Sequence, residues 1–169
     1  MKKFFLFMLI SAASVLTANA QSKDIVGVAA GSADHSTLVA AVKAADLVGT
    51  LQSAGPFTVF APTNAAFGKL PAGTVDGLLK PEAKATLTKV LTYHVVAGKL
   101  DAAAVIKAIQ SGGGKAVLST VSGGKLTATL DGGKVKLTDE TGGTAWVTAT
   151  DLKASNGVIH VIDSVVMPK

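Results

Sequence analysis

Few side chains in this 169-residue chain have the types and spacing for bond chemistry. The three histidines, His35, His94 and His160, stand far apart, and none shares the i, i+4 spacing that puts two imidazoles on one helix face for zinc. Without cysteine there is no thiolate for metal binding, redox exchange or nucleophilic attack. Serine, histidine and aspartate all occur, but no Gly-x-Ser-x-Gly turn lifts a serine toward a base. The Gly-Gly-Lys triplets ending at Lys115, Lys125 and Lys134 run into Ala116, Leu126 and Val135, where a phosphate loop needs Ser or Thr for magnesium. Asp139-Glu140 sets two carboxylates side by side just before Gly142-Gly143, a position that suits a solvated turn. The expectation is a protein that is not an enzyme and has no metal site and no cofactor.

The charge pattern narrows the partners. All sixteen basic residues are lysines. Arginine, the bidentate reader of guanine and phosphate, is absent, which argues against nucleic acid and excludes an Arg-Gly-Asp tripeptide. Lys125, Lys134 and Lys136 share the polar side of their segments with Thr127, Thr129 and Thr138. Such an array can meet an acidic polysaccharide or an anionic envelope, or it can be a solvated face whose lysines deter edge pairing.

These side chains need a core to hold them, and composition supplies one. With 49% apolar and 16% charged residues the chain has ample surface to bury against the entropy of ordering. Residues 1–20 read as a secretory signal peptide: Lys2-Lys3, the apolar stretch Phe4 to Leu16, and the small-residue site Ala18-Asn19-Ala20. Cleavage after Ala20 leaves residues 21–169 as one domain, secreted or periplasmic, with no membrane anchor. Helical spacing marks Leu38, Ala41, Val42 and Ala45, with Asp34 and Ser36 as candidate caps, and further helices over Pro81 to Thr92 and Asp101 to Gln110. One strand, Phe57 to Ala61, interrupts this half, and Thr63 or Asn64 after Pro62 caps a short helix. Past residue 111 the glycine doublets at 112, 123, 132 and 142 separate short alternating segments, the pattern of consecutive hairpins. Leu126, Ala128, Leu130, Val135 and Leu137 then face a core. The last strand, Val158 to Val166, is apolar on both faces and suits a central position, with His160 as a partly buried strand histidine. The class is α+β.

Three boxes stand out together: Gly55-Pro56-Phe57-Thr58-Val59-Phe60-Ala61-Pro62-Thr63-Asn64-Ala65-Ala66-Phe67, Leu91-Thr92-Tyr93-His94-Val95-Val96, and Asn156-Gly157-Val158-Ile159-His160-Val161-Ile162-Asp163. In order and spacing they resemble the two signature boxes and the Tyr-His motif of the fasciclin domain family, over about Asp24 to Pro168. The resemblance implies a wedge of two antiparallel β-sheets with an N-terminal helical layer, used outside the cell for adhesion or matrix binding. It places candidate contacts on Leu91, Tyr93, His94, Val95 and Val96, and on Asp151-Leu152, where Leu stands for the family's Ile. Tyr93 and His94 also sit where a helix hands over to a strand inside an apolar run, which suits a buried, internally bonded pair. The implied function is binding to a cell-surface or matrix protein or polysaccharide. A carrier or sensor holding a small apolar ligand between helices and sheets is the alternative.

Overall fold

The computed structural model describes residues 23–169. The expected leader lies outside them. The described chain opens with a layer of short helices: α1 (Ile25–Ala30), α2 (Ser36–Ala44) after the single turn Ala33–His35, and α3 (Val48–Gln52). Helices this short owe their stability to packing rather than propensity, and Ile25, Leu38, Ala41, Val42 and Leu51 are buried beneath them. Asp24 caps α1, accepting from the Gly27 N–H at 2.7 Å. The expected caps of α2, Asp34 and Ser36, do not serve. The Thr37 N–H is taken instead by Asn64 Oδ1 at 2.9 Å, while Asn64 Nδ2 donates to the Ala33 carbonyl and the Ser36 hydroxyl. Asn64 opens α4 (Asn64–Gly68), which Thr63 caps. The first signature box therefore also fastens α2. Then follow α5 (Thr74–Leu78), α6 (Lys84–Tyr93), entered through the turn Pro81–Ala83, and α7 (Ala102–Ser111), capped by Asp101 on the Ala104 N–H.

Among the described residues seven strands follow or interleave with these helices: β1 (Phe57–Pro62), β2 (Val95–Ala97), β3 (Lys115–Ser119), β4 (Lys125–Asp131), β5 (Lys134–Thr138), β6 (Thr144–Ala154) and β7 (Gly157–Ile162). They form a sheet of order β2-β1-β7-β6-β5-β4-β3. The α+β class and the helical layer stand. The two expected sheets are two halves of this one sheet, joined through the long strand β6, and one pairing, β1 with β7, is parallel. Register shifts between Val147 and Leu152 let β6 bend from one half to the other. A bridge between Val96 and Thr120 brings the two edges together, so the sheet nearly closes.

The two central strands serve two cores, which is why neither shows alternating hydrophobicity. On one side Val59, Ala61 and Ile159 pack against the helical layer with Leu91 and Val95. On the other, Phe60 and Ile162 join Leu126, Ala128, Val135 and Leu137 of the hairpins and Val105 and Ile109 of α7. The hairpins β3–β4, β4–β5 and β5–β6 follow the expected glycines; Gly132 and Gly133 both take positive φ, as a two-residue turn of the favoured hand requires. The doublet at 112 differs: it ends α7 and leads into β3, and a Cβ on Gly112 would lie 2.1 Å from the Lys115 carbonyl oxygen.

Candidate functional site

The Tyr-His motif closes α6 and is buried. His94 is fully enclosed, with Nδ1 2.8 Å from the Val90 carbonyl and Nε2 3.2 Å from the Val166 amide. A carbonyl only accepts and an amide only donates, so these partners select the neutral ring protonated on Nδ1. Burial pulls its pKa from the ordinary 6.5 to about 4, against the opposing pull of the Val90 carbonyl and the Asp139 carboxylate. The Tyr93 hydroxyl donates to the Lys125 carbonyl at 2.6 Å and accepts from the Glu140 N–H at 3.2 Å; burial raises its pKa. Leu91 and Val95 lie in the core beneath the helices, Tyr93 and Val96 in the core beneath the hairpins. All five motif residues are inside, and the pair fastens α6 to the hairpins and to the C-terminal segment.

Asp139 corrects the solvated-turn reading. It is buried, with Oδ1 accepting from the Thr141 N–H, the Thr141 hydroxyl and the Gly143 N–H, and Oδ2 accepting from the Met167 N–H at 2.9 Å. Successive amides, Val166 and Met167, are thus held by His94 and Asp139. Glu140 Oε1 accepts from the Lys125 N–H. The Asp-x-Thr-x-Gly pattern signals a turn; only the fold shows that the turn is buried.

His160 is fully rather than partly buried. Its Nε2 donates to the Leu100 carbonyl at 2.7 Å, its ring stacks on Phe60 with centroids 5.6 Å apart, and Nδ1 faces the Asp151 N–H at 3.4 Å. Asp151 itself is exposed within β6, with a left-handed φ of 59°, and its Oδ1 accepts from the Ala102 N–H at 2.9 Å, a second carboxylate at the start of α7. Leu152 follows, 38% exposed, at the rim of a recess of about 340 Å³ beside α1 that Lys23, Val28 and His35 also line. His35 Nδ1 bonds the Ser32 hydroxyl; its Nε2 is buried without a partner, and burial lowers its pKa against the pull of Asp34 and of the Ala61 carbonyl, which lies outside hydrogen-bonding geometry.

Lys125, Lys134 and Lys136 lie on the outer face of the hairpins, away from the core. Lys136 Nζ is 5.6 Å from the centroid of the Trp146 ring and 3.7 Å from Asp131 Oδ2. Between the helical layer and the sheet an apolar cavity of about 40 Å³ is lined by Leu38, Val42, Val59 and Ile159 among others. Among the described residues no three histidines or carboxylates gather as a metal site, and no helix is long and apolar enough to cross a membrane.

The comparisons agree with the boxes. The family model for the fasciclin domain matches residues 33–168. Protein sll1483 of Synechocystis is 56% identical over 144 residues, covering 85% of this chain and 73% of that protein. The cell surface glycolipoprotein MPB83 of Mycobacterium bovis is 38% identical over 123 residues, covering 73% of this chain and 48% of that protein. The solved FAS1 domain pair of the insect cell adhesion molecule fasciclin I superposes with a TM-score of 0.74 at 18% identity, over 85% of this chain and 50% of that one. The chain belongs to the fasciclin domain family.

Proposed function

We propose that the chain is an exported binding module that attaches to a cell surface, a neighbouring cell or the extracellular matrix by surface complementarity rather than catalysis. One observation carries the reading: Tyr93, His94, Asp139 and His160 are buried and bonded to backbone partners, whereas Asp151 and Leu152 project from a fixed backbone. The cell-surface relative MPB83 and the family membership support it. A carrier would not use the apolar cavity under the helices, whose volume of about 40 Å³ falls short of the roughly 300–1,000 Å³ of a drug-sized ligand site; the recess of about 340 Å³ beside α1, lined by Lys23, His35 and Ile159 among others, is the space left for one.

Recovery of partners from native envelope material tests the proposal. Asp151→Ala alone is ambiguous, because it also strips the Ala102 N–H of its acceptor. Asp151→Asn keeps an acceptor oxygen and tolerance of left-handed φ while removing the charge, and Leu152→Gln removes the apolar tip. Each is expected to lower recovery at unchanged melting temperature. Undiminished recovery by both would move the contact elsewhere, and an unretained parent protein would end the proposal.

A further inference from the structure

The outer face of strands β3 to β6 carries a registered row of polar and aromatic side chains. Lys115 stands opposite Thr129, Thr129 opposite Lys136, and Lys136 opposite Trp146, so four strands present cation, hydroxyl, cation and indole in one line. Strands lie about 4.8 Å apart, so the row spans roughly 14 Å and its two ammonium groups stem from strands about 10 Å apart. A second row, Val117, Thr127, Thr138 and Thr144, runs beside it, with Val117 55% exposed. Lys125 and Lys134 add charge at the corners. The one acid paired with the row is Asp131, on Lys136.

We propose that this row is a track for a linear anionic polysaccharide, with Lys115 and Lys136 on its acidic groups, the threonine hydroxyls on its hydroxyls, and Trp146 against a sugar face. The inference rests on reading the chain as a surface-binding module and names its partner class. Charge complementarity favours a polyanion, and three features select a sugar chain among polyanions. The row runs across the strands, its cations are two strands apart in the manner of a chain charged at alternate sugars, and it ends on an aromatic face. Lipid headgroups would call for apolar side chains to enter the bilayer beside the cations, and the exposed apolar group here is Val117 alone. Nucleic acid would call for arginine, which the chain lacks. The Lys136 ammonium, shared between the Trp146 ring and Asp131, is the adjustable element: a carboxylate or sulfate replaces Asp131 as its counterion.

Trp146 is the sole tryptophan of the chain, so its fluorescence reports the site directly. The full mature protein is titrated with dextran sulfate, polygalacturonate, neutral dextran and phosphatidylglycerol vesicles. Dextran sulfate or polygalacturonate is expected to shift the emission and neutral dextran to leave it unchanged; which of the two binds tells sulfate from carboxylate. Lys115→Gln and Lys136→Gln should each weaken binding about three-fold, the scale of one screened ion contact, and lower the slope of log K against log salt by about 0.7. Asp131→Asn should tighten binding, and Lys107→Gln on α7 should leave it unchanged. Equal weakening by Lys107→Gln, equal binding of vesicles, or no binding of either polyanion overturns the assignment. Retention of the parent chain on native envelope material alongside that failure leaves the binding module standing; loss of both ends both.

Discussion

His94 makes the fold sensitive to acid in a way that can be worked out in advance. Its folded pKa is about 4 against 6.5 when unfolded, so the unfolded chain binds a proton that the folded chain refuses. The resulting stability is fully present above the unfolded value and drains as pH falls from 6.5 toward 4, below which both states are protonated. At about 1.4 kcal/mol for each tenfold difference in proton affinity the whole window is worth about 3 kcal/mol, and the step from pH 7 to pH 5 about 2 kcal/mol. Against a typical stability of roughly 5–15 kcal/mol this is a large fraction. His35 is also depressed by burial and acts in the same direction. Asp163 acts only at lower pH: burial pushes it up, but the Trp146 N–H, the Ser164 hydroxyl and Lys69 together hold it below the ordinary carboxylate value. Comparison of variants therefore isolates His94. Denaturant titrations at pH 7 and pH 5 should show His94→Gln less stable than the parent at pH 7, through the weakened hold on Val166, yet losing about 2 kcal/mol less between the two pH values. The His94 ring resonances should stay unshifted down to about pH 5 in the folded parent. Equal losses in the two proteins, or a ring that titrates near 6.5, would refute the reasoning.

Three further perturbations probe the framework. Tyr93→Phe removes the acceptor of the Glu140 N–H and the donor to Lys125, and thermal or chemical melts should register a loss of about 1–3 kcal/mol. Asn156 accepts from the Ile25 N–H and donates to the Leu51 and Ser53 carbonyls; Asn156→Ala should cost about 2 kcal/mol and raise amide exchange first in α1 and α3. A Cβ on Gly157 would sit 2.1 Å from the Phe57 carbonyl oxygen, so Gly157→Ala should part the β1–β7 pairing and cost about 3 kcal/mol in a denaturant melt, whereas Gly49→Ala, with open space around it, should be neutral or stabilising.

The parts of the fold carried by local chemistry were legible in the sequence. Asp101 and Thr63 cap their helices, the glycines at 123, 132 and 142 turn the hairpins, and the apolar segment after Asn156 forms an interior strand of the sheet, ending at Ile162 rather than at Val166. What escaped depends on contacts between distant segments. Asn64 looked like a local cap, but its carbonyl oxygen closes a helix 27 residues away. Asp139 looked solvated because a turn pattern carries no information on depth, and the Met167 N–H that its second oxygen accepts from lies 28 residues further on, in the C-terminal segment. The parallel direction of β1 against β7 was likewise hidden, since two apolar strands read the same in either sense. For the candidate site, the burial of Tyr93 and His94 followed from their place in an apolar run, whereas the left-handed backbone that presents Asp151 from within β6 did not follow from anything local.

Asp151 and His160 show why the buried and exposed halves of the family motifs belong together. A non-glycine residue at φ 59° is held there only when its surroundings fix it. Here two contacts do so directly, the His160 ring facing the Asp151 N–H and the Ala102 N–H donating to its carboxylate, while Phe60 and the Leu100 carbonyl fix the ring from behind. The register shift on β6 lies at this point and brings Leu152 to the rim of the recess beside α1. A partner meeting this pair meets groups already ordered and pays little entropy to fix them. The same logic gives His160→Leu a distinctive signature: the ring volume is roughly kept, but the Asp151 N–H and the Leu100 carbonyl lose their partner. Affinity for envelope material should then fall further than Asp151→Asn lowers it, with amide exchange quickening at Asp151 and the start of α7. If His160→Leu instead binds as the parent does, the presentation of Asp151 and Leu152 does not depend on the buried ring, and the link between the motifs is purely one of folding.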